Sequence, residues 1–378
     1  MKIAIIGTAH PYRGGIAAFN ERLAKELIAE GHHLTIHTFK LQYPHFLFPG
    51  KTQFSTEKKP KNLNIVRSVN SINPINWLIQ GIRLRRENYD LLIVPFWLPF
   101  MGVSLATIIR LLKRKHTKII SIAHNVIPHE KRMGDKILTS YFIKSADGFL
   151  SMTQKVLNDL KKFDTNSPKI LSPHPIYDNF GEIQPREKAL HTLGFDASYR
   201  YILFFGLIRE YKGLDLLLKA FSSDDLSKKK IKLIIAGEYY SEQTRYQKLI
   251  DDFQLEENII QVNSYIPDSK VQQYFNACDL VVQPYKSATQ SGVTQIAYHF
   301  NKPMIVTNVG GLKEMCPDGE VGYVVNPESE EIKNAILKFF DDTDTKAMIK
   351  NIKRIKAKYS WSIFTKNLLS VISSEHEN

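Results

Sequence analysis

Short apolar runs alternate with amphipathic stretches along most of the chain. In the first half, KIAIIG, HLTIHTF, NIVRSV, DLLIVPF, TKIISIAHN and GFLSM are predicted as strands. Helical periodicity separates them at about 16–30, 74–87, 102–114, 136–145 and 153–162. Strands that alternate regularly with helices predict an α/β fold with a doubly wound, mainly parallel sheet. The segment SPHPIYDNFGEIQP (172–185) breaks the rhythm with three prolines and several turn residues. YILFFG (201–206) restarts it, followed by KLIIAGE, NIIQVNSYI, DLVVQPY, PMIVT and GYVVN. Two Rossmann-like domains, 1–180 and 181–358, are therefore expected, joined near residue 180. The remaining stretch, 359–378, begins as an amphipathic helix, YSWSIFTKNLLSVI, with no strand after it.

One junction in the second half carries a chemical hint. In PYKSATQSGVTQIAYHFNKP (284–303), Val293, Ile296, Ala297 and Phe300 stand at i, i+3, i+4 and i+7, which predicts a helix entered at Ser291-Gly292 and left at Asn301. A small polar loop before a helix leaves backbone N–H groups at its positive end, where an anion is favoured. A plain strand-to-helix connection has the same composition, so the loop alone does not separate the two readings. Another stretch, Leu91 to Ile109, holds nineteen residues without a charge and has the length of a membrane span. Pro95, Pro99 and Gly102 break it instead into a strand, a loop and a helix. Its apolar loop FWLPFM (96–101) is expected to touch lipid or a lipid-like substrate.

Composition narrows the class. The chain has 378 residues, 43% hydrophobic and 24% charged, as a globular protein of two ordinary domains would. Two cysteines, Cys278 and Cys316, form no disulfide framework and suit a reducing, cytoplasmic compartment. The opening MKIAIIGTAHPYRGG is too short in its apolar run for a secretory signal and reads as a first strand. Residues 1–180 hold 26 Lys/Arg against 12 Asp/Glu, a net of +14, whereas residues 181–378 hold 25 against 26, a net of −1. Such asymmetry predicts an anionic partner for the first half, with an anionic membrane surface as the candidate and a solvated basic face as the plainer reading. No aromatic-basic module or helix-turn-helix pattern supports nucleic acid, and none is expected as a partner.

Three loops carry candidate chemistry. Gly14-Gly15 in GTAHPYRGGIAAF lacks the G-x-G-x-x-G spacing of a dinucleotide site; the pair either lets a phosphate or substrate approach the backbone or makes a tight turn. In GLIREYKG (206–213), Arg209 and Lys212 lie just past a predicted strand, at the sheet edge where open α/β folds bind ligands. Two cations there can neutralise a diphosphate, or simply open a helix in solvent. His124 in IAHNVIPHE ends another strand, and local sequence does not distinguish it from His129. No cluster with metal-ligand spacing is expected to form a metal site.

Taken in order, Gly14-Gly15, His124-Asn125, GLIREYKG, PYKSATQSGV and NVGGLKE (308–314) resemble the motifs of family 4 (group 1) glycosyltransferases, and the resemblance covers the whole chain. It implies the GT-B fold, with two Rossmann-like domains facing across a cleft and the terminal helix crossing back to the first. It implies a retaining, metal-independent hexosyltransferase with no cofactor and a nucleotide-sugar donor of UDP or GDP type. By the same resemblance, residues 1–180 bind the acceptor and 181–358 the donor. Arg209 and Lys212 correspond to the diphosphate pair, His124 to the residue beside the reacting sugar, and Gly14 and Gly15 to the loop on the acceptor and phosphate side. Ser291, Gly292 and Val293 correspond to amides that meet the diphosphate, and Ile266 in SYIPD to the segment facing the base.

One departure stands out. The family's two glutamates, with seven residues between them, fall at Ala288 and Ile296 when Pro284 and Pro303 are aligned without a gap. Thr289, Gln290 and Glu314 are the side chains left to rebuild those contacts, since Gln295 points about 100° away around the predicted helix. A GT-B nucleotide-sugar epimerase and a catalytically silent sugar-binding scaffold remain as alternatives. A lipid-linked or saccharide acceptor, in cell-envelope glycan or glycolipid synthesis, would place the protein peripherally at the inner membrane face.

Overall fold

A computed structural model of the chain describes residues 1–44, 48, 50–128 and 133–373. His129 lies outside the described residues. The chain divides into two compact units, one of Met1–Pro175 with the terminal helix and one of Ile176–Tyr359.

The first unit carries a parallel sheet of β1 (Lys2–Ile6), β2 (His33–Leu41), β3 (Asn64–Asn70), β4 (Leu91–Phe96), β5 (Lys118–Ala123), β6 (Gly148–Ser151) and β7 (Lys169–Leu171). Its order is β3-β2-β1-β4-β5-β6-β7. The helices are α1 (Gly15–Ala29), α2 (Pro74–Glu87), α3 (Gly102–Leu112), α4 (Asp135–Ile143) and α5 (Gln154–Lys161). In the second unit β8 (Arg200–Phe205), β9 (Ile231–Ala236), β10 (Ile259–Val262), β11 (Leu280–Gln283), β12 (Met304–Thr307) and β13 (Gly322–Val325) run in the order β10-β9-β8-β11-β12-β13. Its helices are α6 (Arg186–Leu193), α7 (Leu214–Phe221), α8 (Asp224–Ser227), α9 (Gln243–Asp252), α10 (Asp268–Ala277), α11 (Gly292–His299), α12 (Ser329–Asp342) and α13 (Thr345–Ile355). The last helix, α14, is Trp361–Ser373.

Both sheets are wholly parallel, and each unit buries its own aliphatic and aromatic core. Strands such as Ile3–Ile6 and Leu91–Val94 are fully buried, which explains why their sequences are apolar without alternation. The strand order reverses between β1 and β4 and again between β8 and β11, so each sheet has a crevice at its carboxyl edge there.

Several boundaries differ from the sequence reading for packing reasons. The unit boundary falls at 175/176 rather than 180, because Tyr177 and Phe180 are buried and the Glu182 and Gln184 amides donate to Gln272 and Asn276 of α10, both at 3.1 Å. The outgoing and returning segments lie side by side, with the Ile176 amide donating to the Tyr359 carbonyl at 2.9 Å. Strand β7 is too short to leave a periodic signal, and only Ile259–Val262 of NIIQVNSYI pairs as a strand. Helix α14 packs within the first unit: Trp361 and Phe364 meet Phe19 of α1 with ring centroids 5.2 and 5.6 Å apart, and Val371 fills the space left by Gly148 of β6.

The uncharged stretch Leu91–Ile109 is β4, a 3-10 turn at Pro99–Met101, and most of α3. Among the described residues no helix is long and apolar enough to cross a membrane. The loop FWLPFM does not serve as a lipid-facing tip: Phe96, Pro99 and Met101 are buried, and the Trp97 indole donates to the Tyr43 hydroxyl at 2.8 Å. Its apolar side chains complete the core of the first unit. Helix α11 was expected to bury one face, yet Thr294, Gln295 and Tyr298 are buried along with Val293 and Ile296.

Candidate active site

Three loops converge at the carboxyl edge of β8, β9 and β11, across the reversal point of the second sheet. The loop after β8 turns through Gly206 and Gly213, both at positive φ (99° and 68°). A side chain on Gly213 would strike the Pro284 carbonyl, and one on Gly237 would strike Gly206, so glycine is required for the loops to approach this closely. Backbone bonds lock them: the Ile208 amide donates to Glu238 O and the Lys286 amide to Tyr211 O, at 2.8 and 2.7 Å.

This framework brings Arg209 and Lys212 together and gives each an aromatic wall. The Arg209 guanidinium lies 5.2 Å from the Tyr240 ring centroid, and Lys212 Nζ lies 5.5 Å from that of Tyr285. Arg209 is half-buried, whereas Lys212 is 9% exposed. Among the described residues no carboxylate comes within ion-pair distance of Lys212. Burial, with the Arg209 charge adding to it, pushes the Lys212 ammonium down to about 7 from its ordinary 10.5. An unneutralised buried cation in a crevice is a place that an anion would stabilise.

The third loop adds polar groups. Ser291 caps α11, its hydroxyl accepting from the Val293 amide at 3.3 Å and lying 3.2 Å from the Tyr285 hydroxyl. The cap engages the Val293 amide, one of the three expected to face an anion, and leaves those of Ser291 and Gly292 without a hydrogen-bond acceptor among the described residues. Thr289 is buried, and the Gln290 side-chain oxygen is buried without a hydrogen-bond partner. Glu314 lies exposed in a 3-10 turn at Lys313–Met315, and the Ile266 side chain is buried just ahead of α10.

Sequence reasoning missed two members of this region, Tyr285 and Glu238, and set aside a third, Gln295. Tyr285 joins Lys212 to Ser291, and Glu238 places a buried carboxylate just past β9. Gln295 is 1% exposed with neither side-chain polar atom hydrogen-bonded. A glutamine beside Ile296 and Ala297 on a largely buried helix was a visible signal; Tyr285 and Glu238 stood at strand ends, the position that had drawn attention to Arg209.

The first unit presents a second arrangement. Gly14, at φ 107°, caps α1, and the space where its side chain would lie is open. One turn along α1, Phe19 meets the His124 ring edge-on, with centroids 5.1 Å apart. His124 follows β5, and its amide donates to Phe96 O at 2.9 Å. The imidazole is buried, with Nε2 unpartnered, and burial beside His174 pushes it down to about 3. It is thus neutral at physiological pH. His33 and His37 stand four apart, but on β2 one is exposed and the other is buried 2.9 Å from the Tyr89 hydroxyl, so they make no ligand pair. Among the described residues no cluster of three His, Cys, Asp or Glu side chains could hold a metal ion.

Residues 185–356 match the family model for glycosyl transferases group 1, and residues 13–171 match that for glycosyltransferase family 4. The chain belongs to the family 4, group 1 glycosyltransferases. An uncharacterised glycosyltransferase of Methanocaldococcus jannaschii is 25% identical over 380 residues, covering 96% of this chain and 95% of that protein. Among solved structures, sucrose-phosphate synthase from Thermosynechococcus elongatus superposes with a TM-score of 0.77 at 16% identity, over 100% of this chain and 99% of the other. HepE of Anabaena, solved with UDP-glucose, gives a TM-score of 0.74 at 16% identity over 99% and 100%. These structures share the GT-B fold.

In this glycosyltransferase the two positions that the resemblance aligns with the family glutamates are closed. Ala288 is 3% exposed with its carbonyl covered by Gly310, and Ile296 is 5% exposed within the packing of α11. Any polar contact made there must come from neighbouring side chains.

Proposed function

We propose that the glycosyltransferase moves a hexose from a nucleoside-diphosphate sugar, of UDP or GDP type, to an acceptor hydroxyl with retention. The observation that carries this reading is Lys212, buried beside Arg209 at the β8/β11 reversal without a neutralising carboxylate. As the glycosidic bond breaks, negative charge grows on the leaving diphosphate. Lys212, Arg209 and the Ser291 and Gly292 amides would stabilise it without reorganising. In this reading the cations of the chain, rather than a metal ion, meet that charge. Thr289 and Gln290 take the hydroxyl contacts that the missing glutamates would make, and the Ile266 backbone faces the base. His124, neutral and with a free ring nitrogen, gives or accepts a hydrogen bond at a sugar hydroxyl. Gly14 and Gly15 leave room for a substrate at the start of α1. Retention is what the family resemblance implies, and the UDP-glucose bound by HepE supports the donor class. The +14 charge of residues 1–180 supports an acceptor held at an anionic, cytoplasmic membrane face.

A thermal-shift panel of nucleotide sugars tests the reading. A ligand at one hundred times its Kd stabilises by about 2.7 kcal/mol, which moves melting by several degrees. Uridine or guanosine nucleotides are expected to shift the wild type and to lose the shift in Lys212→Ala. No shift with any nucleotide sugar would overturn it, and sugar isomerisation without acceptor would favour an epimerase.

A further inference from the structure

Helix α2 is inside out for a helix of a globular domain. Its buried positions are Gln80, Gly81 and Leu84, while Ile75, Leu78, Ile79 and Ile82 are 49–68% exposed. Those four stand at i, i+3, i+4 and i+7 and so form one stripe along about 10 Å of helix. Gly81 explains the inversion: a side chain there would collide with Leu111, so α2 lies close against α3 on its smallest residue and turns its aliphatic face outward. Scattered exposed leucines are ordinary, but an unbroken aliphatic helix face is not. Helix α3 also packs against α4, which exposes Ile137 at 73% and part of Tyr141.

The charge around this stripe is predominantly basic, the exceptions being Glu87 at the end of α2 and Asp135 at the start of α4. Arg83, Arg85 and Arg86 are exposed in the last turns of α2, and Arg110 of α3 stacks on Tyr141 with its guanidinium carbon 3.9 Å from the ring centroid. The KRKHTK segment (113–118) follows α3. Helix α3 carries no acidic residue, and the one on α2, Glu87, pairs with Lys2 at 3.4 Å. An aliphatic stripe rimmed by arginines complements a surface with anionic headgroups over hydrocarbon. A second copy of the chain would bring basic rim against basic rim, which opposes self-association.

We propose that the α2 face, extended by Ile137 and Tyr141, is a docking surface for an anionic lipid bilayer, with α2 lying in the interfacial plane. The proposal deepens the transferase reading, resting on it only for the purpose of docking. It relocates the lipid contact from FWLPFM, which is largely buried, to a helix whose apolar face is left exposed among the described residues. Arginines draw the unit to the headgroups, and the isoleucines then leave water.

Vesicle flotation of the full chain tests it. Binding is expected to phosphatidylglycerol-containing vesicles and not to pure phosphatidylcholine, and to weaken in high salt. Ile75→Ser/Ile79→Ser should lower vesicle affinity roughly tenfold or more, because two exposed aliphatic chains lose their burial. Arg83→Ser/Arg86→Ser should lower it on anionic vesicles while removing most of the salt dependence. Both pairs are exposed, so the thermal shift with uridine diphosphate should match that of the wild type. Wild-type protein that responds to the nucleotide but never floats would sink the docking proposal alone. Flotation without any nucleotide response would leave docking standing and sink the donor reading. Sedimentation velocity covers the rival occupant: a dimer abolished by the Ile75/Ile79 pair, with no flotation, would make the face a self-interface and overturn the proposal.

Discussion

Each half of the chain holds a buried nitrogen base just past a strand of its parallel sheet, and the surroundings of the two differ. Lys212 has the Arg209 charge and the Tyr285 ring nearby, one electropositive and one neutral, and stays chargeable near pH 7. His124 has Phe19 and a second buried imidazole, His174, and is held neutral down to about pH 3. Desolvation dominates both shifts, so the contrast comes from the starting values of the two groups. An ammonium that starts at 10.5 survives deep burial as a part-time cation; an imidazole that starts at 6.5 does not. The first suits an anion and the second suits a hydrogen bond to a neutral hydroxyl.

The contrast is open to test, beginning with the largest effect. Lys212→Ala and Arg209→Ala should each lower transfer by a factor on the order of 10²–10³, the range for removing a preorganised electrostatic stabiliser. Initial-rate assays decide it, and near-normal turnover in both variants would remove the diphosphate assignment. His124→Ala should also lower turnover, by about 10–100-fold if one hydrogen bond near the reacting sugar is lost, with a smaller change in melting temperature. A variant that melts early but turns over normally when folded would make His124 a core residue and nothing more.

The smallest effect is in pH, and there the two bases separate by window. Each is more basic in the unfolded chain than in the folded one, so the unfolded chain holds the extra proton between the two values, and stability rises with pH across that interval. For His124 the interval runs from about 3 to 6.5, so its contribution is lost in acid and complete at neutrality. For Lys212 it runs from about 7 to 10.5, so the cost of its buried charge fades only in alkali. A nucleoside diphosphate needs the charged ammonium, so its affinity should fall above pH 7, by about tenfold per unit at the steepest, with proton uptake on binding. Calorimetry in two buffers of different ionisation enthalpy measures that uptake. A pH-independent Kd between 6 and 9 would mean that Lys212 does not meet the anion.

Local pattern alone determined every strand but the short β7, the helices between the strands of the first half and the α/β class, because buried parallel strands are apolar on both faces and amphipathic helices repeat at 3.6 residues. It also marked the loops that hold Gly14, His124, Arg209, Lys212 and Ser291, since strand ends and helix starts are flagged by glycine, proline and small polar residues, while the choice of those residues within the loops came from the family resemblance. Tertiary structure decided what pattern cannot carry. Burial of Lys212 depends on loops from three strands closing over it, and the partnerless state of Gln295 depends on every neighbour of α11 at once. FWLPFM and the isoleucines of α2 are equally apolar as sequence, yet one fills a core and the other faces water. Gly81 settled that difference: it lets α2 press its narrow side against Leu111, and a choice between two sides of a helix is made by the surface it packs on, not by the helix itself.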